Sequence, residues 1–218
     1  PSWELVEEGS DAAGRDLAHL LLDADADELR QTHNAQLATF LTSMVVLDAV
    51  ERVGVDAAGH AGHSLGEYSA LTAAGALDFG GAIDLVVERG EAMQEAAGKR
   101  VGTMSAVLGL DDEGVEAACG ATAGDVWVAN FNAPGQVVIA GDPDAIAAAG
   151  EAARAAGAKR VTELDVSGAF HTPFMEAAGD RLRVALDAAD IRPPEGFVVA
   201  NVDALEHDDP EAWRSLLN

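Results

Sequence analysis

The nine residues Gly62-His63-Ser64-Leu65-Gly66-Glu67-Tyr68-Ser69-Ala70 decide how the rest of the chain is read. The first five match G-x-S-x-G, the pattern of a nucleophile elbow. Such a turn joins a strand to a helix so sharply that the serine is strained and its hydroxyl exposed. Small residues two before and two after the serine keep neighbouring backbone from clashing. The N–H groups that follow point toward negative charge developing at a helix start. The flanks support this on one side only. Residues 55–61 are too poor in β-formers for propensity alone to make a strand, whereas residues 66–75 read as a helix. In a chain with 23 glycines, an ordinary glycine turn explains five residues as well as an elbow does.

Working outward, residues 31–53 are the clearest helix. Leu37, Phe40, Leu41, Met44, Val45 and Leu47 give it a broad apolar face, and Gly54 suits its end. Residues 2–30 read as helical with a turn at Gly9-Ser10, and Asp23-Ala24-Asp25-Ala26-Asp27 as a loop. Gly80-Gly81 reads as a break before a helix at 82–98. The pattern then changes. Residues 103–109 alternate like a strand, and 111–121 form an acid-fronted helix. Strands at 126–131 and 136–140 flank the turn Asn132-Ala133-Pro134-Gly135. An Ala-rich helix with Pro in its first turn covers 143–157, and a strand covers 160–166. The order β-α-β-β-α-β is that of a ferredoxin-like unit, expected here as an inserted small subdomain. A turn at 167–172, a helix at 173–189 and a short strand at 197–201 follow.

The 218 residues suit one large domain or two small ones, and an apolar share of 49% supplies a core. Asp and Glu total 38 against 13 Lys and Arg, a net charge of −25. Such a field disfavours nucleic acid and anionic membranes as partners. No apolar run reaches the ~18–20 residues of a membrane span, and no basic head precedes an apolar N-terminal run. The lone Cys119 makes neither an internal disulfide nor a Cys-based metal site, which fits a reducing cytoplasm. Neither a metal cluster nor a phosphate-cradling loop is present, and no cofactor is expected.

A nucleophilic serine needs a base. Among the six histidines, His63 adjoins Ser64, where side chains on such a turn point apart. His60 lies on the approach to the turn, His19 and His33 sit in or beside helices, and His207 lies in an acidic tail. His171 differs. It follows a strand end in Ser167-Gly168-Ala169-Phe170-His171-Thr172-Pro173, and loops after strands present catalytic groups in α/β folds.

Four blocks now line up in order: Gly62 to Ala70, Arg89-Gly90, the ten residues Asn132 to Gly141, and Gly168-Ala169-Phe170-His171. Together they resemble the malonyl-CoA:acyl-carrier-protein transacylases, over about residues 3 to 218. The resemblance implies an α/β-hydrolase-like large subdomain (residues 1–100 and 166–218) carrying the ferredoxin-like insert (101–165). It implies that Ser64 takes the malonyl group as an ester. His171 would be general base and then acid, and the Leu65 N–H half of the oxyanion hole. Arg89 would pair bidentately with the malonyl carboxylate, a geometry that guanidinium supplies well. Without the resemblance, Arg89 would read as a surface helix arginine.

Phe170 and Leu65 match the malonyl rather than the methylmalonyl pattern, an aromatic ring filling the space of the extra methyl. The family's N-terminal Gly-Gln-Gly-rich turn, source of the other oxyanion N–H, has no match before Trp3. The chain stops at Asn218, ahead of a region that helps position the histidine. It therefore reads as an internal piece of an acyltransferase. The expected partners are malonyl-CoA and the phosphopantetheine arm of acyl carrier protein. Both are anionic, so Lys99-Arg100 and Lys159-Arg160, at the two seams of the insert, are expected to guide that arm. An ordinary serine hydrolase or thioesterase, and the acyltransferase domain of a polyketide synthase, remain alternatives. Asp165 lies near His171 but reads as a strand-end residue. In the resembling family a backbone carbonyl, not an acid, steadies the histidine.

Overall fold

The computed structural model describes residues 1–217. In chain order it contains α1 (Glu4–Ala13), α2 (Leu17–Leu22), α3 (Ala26–Leu29), α4 (Thr32–Glu51), β1 (Gly59–Ala61), α5 (Gly66–Ala73), α6 (Phe79–Lys99) and β2 (Thr103–Leu108). Next come α7 (Asp112–Ala121), β3 (Val126–Ala133), β4 (Gln136–Gly141), α8 (Pro143–Ala155) and β5 (Arg160–Glu163). A 3-10 turn (Pro173–Met175), α9 (Glu176–Ala188), β6 (Phe197–Val199), β7 (Glu206–His207) and α10 (Pro210–Leu216) complete it. The chain divides into two compact units, Pro1–Ala92 with Gly179–Asn218, and Met93–Ala178. Among the described residues no helix is long and apolar enough to cross a membrane.

In the first unit, helices enclose a short three-stranded sheet of order β1-β6-β7. β1 and β6 run parallel, with Gly59 opposite Phe197 and Ala61 opposite Val199. Pairing makes this strand where propensity does not. A Cβ at Gly59 would lie 2.4 Å from the Phe197 ring, so only glycine lets that ring cover the strand. The expected face of α4 buries Leu37, Phe40, Leu41 and Met44 against Leu71, Ile83, Val86 and Leu186. It also buries Asn34 and Gln36.

Two expected breaks are absent. α1 runs through Gly9-Ser10 and ends at Gly14, whose φ of 61° supplies the left-handed cap. Gly9 faces inward, where a Cβ would meet Leu17 and Leu41 at 3.4 Å, so it is a helix-packing residue and not a turn. Gly80-Gly81 lies in the first turn of α6, with the Gly81 N–H capped by Asp78 Oδ1 at 2.8 Å. A reading of glycine as punctuation misses both, the first because it cannot see what a Cβ would meet and the second because the Asp78 cap starts the helix ahead of the glycines.

In the second unit, β2, α7, β3, β4, α8 and β5 follow one another as expected, and the antiparallel sheet has the order β3-β4-β2-β5. Side chains alternate across it. Val107, Val137 and Ile139 pack under α7 and α8 with Val115, Ile146 and Ala149. Met104, Val138 and Ala140 face the other way, onto Ala169 and Phe174. The strand expected at 160–166 stops at Glu163, and β3 reaches Ala133.

Candidate active site

Ser64 lies between β1 and α5 with φ of 54°, a left-handed conformation that a non-glycine residue adopts at a cost of about 1–2 kcal/mol. Gly62 makes the turn possible. A Cβ there would sit 1.9 Å from the Gly66 carbonyl oxygen. The expectation of a second steric requirement at Gly66 is not met, since a Cβ there meets nothing within 4 Å. The Ser64 carbonyl accepts the Glu67 N–H at 3.1 Å and the His63 carbonyl the Gly66 N–H at 2.9 Å. Among the described residues the Leu65 N–H has no hydrogen-bond acceptor, so it is a free donor at a helix start, one residue from the serine hydroxyl.

Arg89 reaches this turn from α6. Its Nη2 donates to Ser64 Oγ at 2.8 Å and its Nη1 donates to Gln36 Oε1 on α4. The guanidinium carbon is 5.8 Å from the centroid of the Tyr68 ring. The side chain is only 8% exposed, so the reading of Arg89 as a surface arginine is excluded. Burial lowers its pKa, while Tyr68 and Glu67 oppose the shift. Gly90 explains why α6 comes so close to α4, since a Cβ there would lie 2.8 Å from the His33 Cα.

Three neighbours of this site had no role in the sequence reading. Asn201, two residues beyond β6, accepts the Ser64 N–H on its Oδ1. Its own N–H donates to Glu67 Oε1 at 2.7 Å. The parallel pairing of β1 and β6 brings the C-terminal ends of both strands together, which is how residues 64 and 201 meet. Glu67 is buried, and burial pushes its carboxyl up to about 7 against the opposing pull of the Asn201 N–H and Arg89. Gln36 is one of the polar side chains, with Thr32 and Asn34, that the first turns of α4 bury.

The remaining expected residues belong to the second unit. His171 has φ of 59° and is exposed, two residues ahead of the 3-10 turn. Thr172 holds this loop, its Oγ1 donating to the Ala169 carbonyl at 2.7 Å and accepting the Phe174 N–H at 3.3 Å. Two glycines let the loop lie close to its neighbours. A Cβ at Gly168 would be 2.8 Å from the Ala97 Cβ, and one at Gly102 would be 2.7 Å from the Ala169 Cβ. Phe170 is half-buried against the Met104, Val138 and Phe174 cluster.

The two basic pairs do not come together. β5 runs antiparallel to β2 with Arg160 opposite Leu108, so Lys159-Arg160 lies at the far end of β2 from Lys99-Arg100. Lys99 is paired with Glu95 at 2.7 Å, and Arg100 bonds Asp125 and stacks 3.5 Å over the Phe174 ring. The two pairs, expected to guide one arm together, therefore stand at opposite ends of β2. Antiparallel pairing sets the start of the last strand beside the end of the first.

A left-handed serine between a parallel strand and a helix has the geometry of a nucleophile elbow in an α/β protein, and here a buried arginine also reaches its hydroxyl. The chain belongs to the acyl transferase domain family, which it matches over residues 2–212. It is 42% identical to the malonyl CoA-acyl carrier protein transacylase of Bacillus subtilis, an alignment covering 92% of this chain and 64% of that protein. It is 43% identical to the transacylase of the same name from Escherichia coli K12, covering 99% of this chain and 72% of that one. Among solved structures, a type II PKS acyl-carrier protein in complex with its malonyl-transacylase matches with a TM-score of 0.95 at 42% identity, covering 99% of this chain and 71% of that chain. The acyl carrier protein S-malonyltransferase of Vibrio cholerae matches at 0.93 and 40% identity, covering 99% of this chain and 72% of that one.

Proposed function

We propose that this chain transfers a malonyl group from malonyl-CoA to the phosphopantetheine thiol of acyl carrier protein, in the cytoplasm, through an ester on Ser64. The observation that carries the reading is the hydrogen bond from buried Arg89 to Ser64 Oγ. A fixed cation beside a nucleophile suits an acyl group that ends in a carboxylate, and it is stronger for being stripped of water. The family and the names of its relatives support the same reading. An ordinary hydrolase has no use for a buried arginine at this point.

In the first half-reaction His171 removes the Ser64 Oγ proton as Oγ attacks the thioester carbonyl. The Leu65 N–H faces the oxygen that becomes negative. The C–S bond breaks, and the CoA sulfur leaves with the proton from His171. Arg89 exchanges its bond to Oγ for the malonyl carboxylate. In the second half-reaction the carrier-protein thiol gives its proton to His171 and attacks the ester, and Ser64 recovers the proton. Phe170 and Leu65 are proposed to favour malonyl over methylmalonyl by filling the space of the extra methyl. On this reading the first unit belongs to an α/β-hydrolase-like subdomain (1–100 and 166–218). Residues 101–165 are a ferredoxin-like insert, in keeping with the order β3-β4-β2-β5.

The test is intact-protein mass spectrometry after brief mixing with malonyl-CoA. A malonyl adduct that is absent from Ser64→Ala is expected, followed by malonyl-carrier protein once the second thiol is added. Free malonate in its place would assign a hydrolase, and equal adduct from methylmalonyl-CoA would remove the selectivity roles of Phe170 and Leu65.

A further inference from the structure

The transfer chemistry gives Glu67 and Asn201 no task, yet together they close a ring around the nucleophile. The Ser64 N–H donates to Asn201 Oδ1. The Asn201 N–H donates to Glu67 Oε1 at 2.7 Å. The Glu67 N–H donates to the Ser64 carbonyl at 3.1 Å, which returns the ring to its start. Each link joins a different part of the first unit: the elbow, the first turn of α5 and the segment after β6.

The ring acts on the two backbone dihedral angles of Ser64. The peptide plane before Ser64 is held through its N–H by Asn201, and the plane after it through its C=O by Glu67. Together the two anchors hold the rotations about its N–Cα and Cα–C bonds, with φ at 54°. A left-handed serine persists only where its surroundings over-determine it. The rotation about Cα–C sets where Oγ and the Leu65 N–H stand relative to each other, and φ sets how that pair is turned away from β1. These are the two groups that must meet one carbonyl carbon and its oxygen.

We propose that Asn201 and Glu67 are positioning residues for acyl transfer, clamping Ser64 in its left-handed turn through this closed ring of hydrogen bonds. The proposal rests on the reading of Ser64 as nucleophile. What Glu67 contributes is an acceptor atom rather than a charge. It is 6% exposed. Burial, and Asp203 beyond β6, favour its neutral form, while the Asn201 N–H and Arg89 on α6 favour the ionised one. Either form offers an oxygen to the Asn201 N–H.

Three variants of the full chain test the clamp. Asn201→Ala removes the acceptor of the Ser64 N–H, and Asn201 is exposed, so the core is untouched. Glu67→Met keeps the volume and removes the acceptor, and Glu67→Gln keeps the acceptor and removes the charge. Acylation at saturating malonyl-CoA should fall roughly 10- to 100-fold in the first two, with the half-saturating concentration within about twofold of the parent. Glu67→Gln should stay within about threefold. A parent-like rate in Asn201→Ala, or Glu67→Gln as slow as Glu67→Met, overturns the proposal.

Amide hydrogen exchange at Ser64 gives a readout that needs no substrate. It should speed up in Asn201→Ala and Glu67→Met and stay unchanged in Glu67→Gln, and an unchanged rate in Asn201→Ala overturns the clamp. If the parent chain takes no malonyl group, the transfer reading fails while exchange still decides the clamp.

Discussion

Arg89 Nη2 donates to the hydroxyl of Ser64 at 2.8 Å across 25 residues of sequence. Two packing facts produce this contact. Gly90 lets α6 approach α4, and Gln36 on α4 occupies the other end of the guanidinium. The adjacent pair Arg89-Gly90 therefore works as a unit, one residue supplying the charge and the next the space.

Arg89→Lys is expected to slow malonyl transfer by roughly 10- to 100-fold, because an ammonium cannot hold Gln36 and a carboxylate in one plane. Transfer from acetyl-CoA, which has no carboxylate, should change far less. Single-turnover rates with the two donors check this, and an equal loss with both would show a general defect at Ser64.

Gly62→Ala and Gly66→Ala should separate sharply in denaturant. The first sets a methyl 1.9 Å from a carbonyl oxygen and should cost about 1–3 kcal/mol or more. The second adds a methyl in open space on a helix and should be neutral or stabilising by about 0.5–1 kcal/mol. Equal midpoints for the two variants would contradict the elbow geometry.

Burial raises the Glu67 carboxyl from 4.5 to about 7 in the folded chain. Between those values the native state binds more protons than the unfolded state, so the sign is fixed. This contribution is fully present below about pH 4.5, is lost as pH rises through about 7, and is flat above. Glu67→Gln removes it, so the stability of the variant relative to the parent should rise by roughly 1–3 kcal/mol from pH 4.5 to pH 8. Urea unfolding of both proteins at the two pH values measures the difference.

Thr172→Val should lower stability by about 1–2 kcal/mol, since it orphans the Ala169 carbonyl and the Phe174 N–H. It should also reduce kcat, because His171 adjoins this cap in a left-handed conformation. Thr172→Ser keeps the hydroxyl and should retain both. Thermal melts and transfer rates of the two variants decide the matter.

Local pattern was a good guide where one period ran long enough. The face of α4 and the succession from β2 to β5 were legible because side-chain burial there repeats at 3.6 or 2 residues. β1 was not legible, since three residues paired to a strand far along the chain leave no period. Gly9 and Gly80-Gly81 misled for a related reason. Gly9 is chosen for space, and the neighbours that need it, Leu41 and Phe79, are remote in sequence, whereas Gly80-Gly81 sits in a first helical turn that the Asp78 cap holds.

By itself the sequence singled out the residues proposed to carry the chemistry: Ser64 by its elbow pattern and His171 by its place after a strand, with Arg89, Leu65 and Phe170 added only by the family resemblance of the four blocks. Each sits in a short block whose residue types can be recognised without knowing their remote neighbours. Only the tertiary structure decided how Ser64 is held and what Arg89 touches. Gln36, Glu67 and Asn201 reach the site through helix packing and the parallel pairing of β1 with β6. Contacts of that kind join positions as many as 137 residues apart, so no local pattern records them.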